Sequence, residues 1–182
     1  PGSYQGFYLD TSGAPGSPIA FVATGAGVAI TADNPVTPDG INIEGADHVV
    51  IDGFTVTGRT RAGIRAALSS FVTVRNCTAG NNGRWGIFTG FTDDLLVENN
   101  ETYGSVLEHG IYVSNSCDRP IVRGNVVHDN FANGIHLNGD ESQGGDGWIE
   151  DALIEDNVIY GNGAGGGSGI NGDGLVNSVI RN

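Results

Sequence analysis

A glycine followed by an aliphatic or aromatic residue recurs along the chain at a nearly fixed interval, and this repeat limits the possible folds more than any other feature. The copies are GFYL from Gly6, GINI from Gly40, GIRA from Gly63, GIFT from Gly86, GIYV from Gly110, GIHL from Gly134 and GING from Gly169. Their starts lie 34, 23, 23, 24, 24 and 35 residues apart. A unit of about two dozen residues therefore repeats, with insertions expected near residues 11–17, 31–39 and 139–151. Such a period describes one supersecondary unit stacked on copies of itself, so residues 1–182 are expected to form one array, a stretch of a longer solenoid.

Inside each unit, short runs of alternating apolar residues are separated by glycine and asparagine, the pattern of strands and turns. After each glycine segment comes a second strand, as in VVID at 49, VTVRN at 72, LLVEN at 95, PIVRGN at 120, ALIEDN at 152 and SVIRN at 178. A third follows, as in FTV at 54, NVV at 125 and NVI at 157. Three short strands per unit predict an all-β chain: a right-handed, single-stranded parallel β-helix of about seven coils, stacked at the ~4.8 Å spacing of paired strands.

Stacking predicts chemically uniform columns. Phe7, Ile41, Ile64, Ile87, Ile111, Ile135 and Ile170 should form an inward ladder, and Asn100, Asn125 and Asn157 an asparagine ladder, with Cys77 and Phe54 in the same slot of earlier coils. Asp52, Arg75, Glu98, Arg123, Glu155 and Arg181 alternate in charge along an outward column, which marks them as structural. Cys77 and Cys117 are too few for a disulfide framework and have no CxxC partner; one buried and one loop thiol are expected.

Over Gly40 to Asn182 these coils resemble the parallel β-helix repeats of carbohydrate-active proteins: pectate and alginate lyases, mannuronan C5-epimerases and some glycoside hydrolases. The resemblance implies a polysaccharide lying in a groove along the side of the helix, and an extracellular or cell-surface location. Composition agrees that nucleic acid is not the partner, since 21 acidic against 8 basic residues give a net charge of −13. No apolar run is long enough for a membrane span.

Strand alternation turns the second residue after each glycine outward, giving Tyr8, Asn42, Arg65, Phe88, Tyr112, His136 and Asn171, with Asn138 and Asp173 two residues further along their strands. Trp85, His109 and Asn133 precede glycines. Aromatic rings flanked by amides and imidazoles suit sugars, whose C–H faces stack on rings and whose hydroxyls need directional partners. Phe88, Trp85, Asn138, Asn171 and Asp173 are the expected substrate contacts, unless the aromatics pack beneath the 139–151 insertion. Lyase or epimerase chemistry removes a proton beside a uronate carboxylate and needs a base and a neutralising group. The resemblance implies two arrangements: a lysine or arginine base, which with no lysine in the sequence falls to Arg65, or, similar to alginate-type enzymes, His136 or His109 as base and Tyr112 as acid, with Arg65 and Asn138 as the carboxylate partners. Glycoside hydrolysis would fall to Asp140 and Asp173, a poorer pair.

Arg59, Arg61, Arg65 and Arg84 gather in two coils and are expected to form a cationic patch. Oxygen ligands in NGDESQGGDG and NGDG make calcium the cation that Asp140, Asp146 and Asp173 would suit. A second class of function stays open beside the polysaccharide enzyme or binder: a non-catalytic structural or adhesive module, self-associating end to end through uncapped coils into a fibre.

Overall fold

The computed structural model describes residues 2–25 and 27–182. Three seven-stranded, wholly parallel sheets wrap one core, and each takes one strand from every coil. The first sheet holds Phe7–Leu9, Ile41–Glu44, Ala62–Ser70, Trp85–Asp93, Ile111–Ser114, Ile135–Asn138 and Ile170–Asp173. The second begins at Ile19–Val22 and Val49–Asp52 and ends at Val179–Arg181; the third runs from Gly2–Gln5 to Val158–Tyr160. A two-stranded sheet pairs Ile149–Glu150 with Leu175–Val176, and among the described residues the helical content is one 3-10 turn, Glu141–Gln143. The right-handed, three-stranded coil expected from the repeat is the fold.

The register follows the columns. Ile41, Ile64, Ile87, Ile111 and Ile135 pair in succession and are fully buried, each burial worth about 1.5–3 kcal/mol. At the corner after the second sheet, Asn125 Nδ2 donates to Asn157 Oδ1 at 2.9 Å, and Asn100 Nδ2 donates to Asn125 Oδ1 at 3.0 Å. Each asparagine oxygen also accepts the backbone N–H of the coil before it, so the ladder satisfies turn amides that have no strand partner.

A second asparagine ladder stands at the corner after the third sheet, where the backbone N–H groups of Arg59, Ser105 and Asn130 donate to Asn82, Asn130 and Asn162. This ladder explains part of the requirement for glycine. A Cβ on Gly63 would lie 2.6 Å from Asn82 Nδ2, and one on Gly110 2.6 Å from Asn130 Nδ2, closer than atoms can approach. At Gly63, Gly110 and Gly134 the strand starts against the corner amide of its own coil, and at Gly6, Gly40, Gly63, Gly86 and Gly134 a Cβ would meet the carbonyl oxygen of the next coil's glycine within 2.8 Å.

Two expectations are corrected. Cys117 lies in the loop between Ile111–Ser114 and Ile121–Arg123, but it is as buried as Cys77, so the contrast between one buried and one loop thiol fails; burial pushes both thiols up, Cys77 to about 11. The cationic patch is neutralised, because all eight arginines pair with carboxylates. Arg59 meets Asp33 at 3.2 Å, Arg61 meets Asp39 at 2.6 Å, Arg65 meets Glu44, and Arg84 meets Glu108 at 2.6 Å.

Candidate functional site

The first sheet's outward row is continuous. Asn42, Arg65, Phe88, Tyr112, His136 and Asn171 pair one after another, and Ser114, Asn138 and Asp173 form the neighbouring row. Parallel pairing brings the rings together. Phe88 meets Tyr112 edge-on at 5.5 Å between centroids, and Tyr112 lies flat against His136 at 4.8 Å with the planes 7° apart.

Behind this row sits a buried one. Trp85 and His109, each 8% exposed, occupy the positions just before the glycines, where the chain turns inward. Trp85 packs on Phe88 at 4.6 Å, and its indole N–H donates to Glu108 Oε2 at 2.7 Å. It is a floor for Phe88 and does not offer a free face for a sugar. His109 is likewise withdrawn from the surface: its Nδ1 accepts the backbone N–H of Asn133 at 3.1 Å, and its Nε2 lies 3.0 Å from His136 Nδ1. With both nitrogens occupied it does not face the groove, so of the two imidazoles His136 is the one on the outward row.

The polar groups at the surface are few. Tyr112 Oη accepts from Asn138 Nδ2 at 3.0 Å, which leaves the phenolic proton free to be donated. Arg65 is turned away from such work: its guanidinium donates to Asn42 and Glu44 and stacks over Phe88 at 5.6 Å. It covers Asn42, which is fully buried despite its outward position. Asn171 and Asp173 are exposed beyond His136.

A cavity of about 350 Å³ opens between Arg84, Trp85, Phe88, Glu108, Tyr112 and Asp140, and a second of about 250 Å³ lies on the other side of Phe88, against Arg65, Leu68 and Phe91. The 139–148 loop supplies Asp140 as a wall and leaves Phe88 and Tyr112 partly exposed, so these two rings are not sealed beneath it. Glu108, which sequence reasoning passed over, is the hub: it receives Trp85 and Arg84 and lies 3.9 Å from His109 Nε2. Its one signal in the sequence is its place beside His109 in EHG.

The expected calcium ligands do not converge. Asp140 Oδ1 accepts the N–H of Ser142 and caps the 3-10 turn, while Asp146 Oδ1 accepts from Ser116 Oγ and Trp148 N. Among the described residues no three of His, Cys, Asp and Glu are grouped to hold a metal. These oxygens close loops instead.

Electrostatics keep both imidazoles neutral. Burial, and then the neighbouring His136, push His109 down to about 4. Burial also lowers His136, against the opposing pull of Asp173 and Glu108. At neutral pH the groove therefore offers a phenol, a neutral imidazole and amides, with aromatic faces between them.

A family model described as a right-handed beta helix region matches residues 28–182. No curated protein sequence matches the chain. Among solved structures, the pectate lyase Pel9A superposes with a TM-score of 0.61 at 19% identity, over 90% of this chain and 48% of its own. An alginate lyase from Paenibacillus sp. str. FPU-7 gives 0.62 at 17% identity, over 88% and 65%. The A-module of the Azotobacter vinelandii mannuronan C-5 epimerase AlgE6 gives 0.53 at 14%, over 85% and 44%. The chain thus spans between 44% and 65% of the length of these structures, and at such identities the likeness is one of fold.

Proposed function

Because the chain belongs to the family of right-handed β-helix regions, we propose that it uses the outward row of its first sheet to bind a uronate-containing polysaccharide, and acts on it as a lyase or C5-epimerase at the cell surface or outside the cell. The observation that carries this reading is the unbroken contact from Phe88 through Tyr112 to His136, three coils deep, with open cavities on both sides of Phe88. Rings at successive coils match sugar units, and the amides of Asn138 and Asn171 supply directional partners beside them. Pectate and alginate, named for the two lyases of like fold, are the first polymers to offer it.

Elimination and epimerisation share a first step: removal of the proton beside the carboxylate, with the developing charge met by hydrogen-bond donors. Tyr112, after losing its phenolic proton to solvent, is the group placed to take the substrate's proton, and His136 the group placed to stabilise the developing charge. Since the arginines are engaged by carboxylates, the substrate carboxylate must be met by neutral donors, or by Arg84 after it exchanges Glu108 for the ligand.

The test is incubation of the protein with pectate, alginate and neutral glycans. Unsaturated uronate reports a lyase, uptake of solvent deuterium at the epimerised carbon an epimerase, and calorimetry reports binding alone. Tyr112→Phe should abolish turnover while leaving the circular dichroism unchanged. Full turnover in that variant, or no binding to any uronate polymer, rejects the proposal.

A further inference from the structure

The hydrogen bonds that join Asn133, His109 and His136 run in one direction, and that direction fixes where every proton lies. A backbone N–H is always a donor, so His109 Nδ1, 3.1 Å from Asn133 N, must carry a lone pair. Neutral His109 then has its proton on Nε2, and that N–H can only be donated to His136 Nδ1, 3.0 Å away. His136 Nδ1 is thereby the acceptor, and its remaining proton sits on Nε2. Among the described residues Nε2 of His136 has no partner within the protein.

We infer that His136 serves the groove as an N–H donor and not as the proton-abstracting base, and that the buried His109 is the positioning residue that enforces this tautomer. The functional half of the inference rests on the polysaccharide reading above; the tautomer half stands on the hydrogen bonds alone. For Nε2 of His136 to accept a proton while the ring stays neutral, Nδ1 would have to carry one. That proton would face the N–H of His109, or force His109 to place its own against the N–H of Asn133. Either arrangement breaks a bond of the chain and sets two donors face to face.

The same geometry opposes a positive charge on either ring. A second proton on His136 enters at Nδ1, against His109, and one on His109 enters at Nδ1, against Asn133. The charged and titratable groups around the pair are Glu108 in the preceding turn, held by Arg84, Tyr112 on the adjacent strand and Asp173 on the next coil. Burial nevertheless lowers both rings, in keeping with a chain that has no place for a further proton. A neutral N–H donor beside Tyr112 answers the problem left by the paired arginines, since it gives the oxygen of a substrate carboxylate or hydroxyl a partner without a free cation.

Isotope-labelled histidine and long-range nitrogen–proton correlation spectra read the tautomers directly, with His109→Gln and His136→Gln used to assign the signals. At pH 7 both rings should show the neutral, Nε2-protonated pattern, and on acidification both should keep it below the ordinary histidine midpoint. His109→Phe, which removes the donor, should raise the midpoint of His136 by about one pH unit, and His109→Gln, which restores an N–H, should bring it back. An Nδ1-protonated His136, or ordinary titration of His136 in the unaltered protein, overturns the inference even if the polysaccharide reading holds. Where turnover is measurable, His136→Gln keeps a donor but cannot act as a base. It should retain more than about a tenth of the activity, against a loss of about a hundredfold in His136→Ala. Equal losses in the two variants contradict the donor role, whereas absent turnover in the unaltered protein with the expected spectra counts against the lyase reading alone.

Discussion

The same stacking produces two outward rows of opposite character. In the second sheet, Asp52–Arg75, Glu98–Arg123 and Glu155–Arg181 pair across successive coils at 2.8 to 2.9 Å, so each charge is answered by its neighbour. In the first sheet, Phe88, Tyr112 and His136 answer one another only through their ring faces and edges, and the phenolic proton and one imidazole N–H point to solvent. A row whose polar groups are mutually satisfied is a fastening; one that leaves donors unspent beside aromatic surface is a place for a ligand. Position in the coil does not separate the two, but the accounting of hydrogen bonds does.

Several variants break or sharpen this contrast. The largest effect should come from the scaffold beneath both rows. Asn125→Ala removes a side chain that bonds Asn100, Val97 and Asn157 in a fully buried corner, and the stranded amides should cost on the order of 3–5 kcal/mol, read by urea unfolding. Tyr112→Ala should weaken oligosaccharide binding by about 1–3 kcal/mol in calorimetry, as ring burial and stacking are lost, while the second sheet is untouched. Arg75→Gln should do the reverse: binding unchanged, and stability lower by about 0.2–1 kcal/mol, an effect that fades with added salt because the pair is partly exposed. Asp52 adds a pH signature. Its hydrogen bond from Asn76, and then its contact with Arg75, hold its carboxyl below the usual 3.8. The group therefore stabilises the folded chain above that value, and the contribution is lost as pH falls through the lower folded value; Arg75→Gln should shrink this acid loss. Smallest is the salt response of oligouronate binding, which should change by less than about threefold and in the direction of tighter binding, since the protein carries −13 and its groove presents no free cation.

Much of the fold was legible because its cause is periodic. The isoleucine column, the alternating charges and the Asn100–Asn125–Asn157 ladder all recur at the interval of the glycine motif, and each lies where it was expected. The second ladder escaped notice because Ser105 interrupts it between Asn82 and Asn130. The requirement for glycine is steric, imposed in most coils by the carbonyl of the next coil's glycine and, at Gly63, Gly110 and Gly134, by the corner amide of the same coil. The arginine pairs were hidden for a different reason. Arg65 and Glu44 are 21 residues apart, Arg84 and Glu108 24, and Arg59 and Asp33 26, so no single offset reveals them. At the site, alternation placed Phe88, Tyr112 and His136 outward, but in the five middle coils the residue before the glycine, from Asp39 to Asn133, lies where the chain bends inward, and this buries Trp85 and His109.

The central claim is that ligand binding is confined to the outer row of the first sheet, and the most direct measurement is amide chemical-shift mapping during titration of the assigned protein with oligouronates. Perturbations should concentrate at Phe88, Tyr112, His136 and Asn138, with the column from Asp52 to Arg181 silent. Saturable shifts centred on the second or third sheet, or none with any oligouronate, would contradict the account.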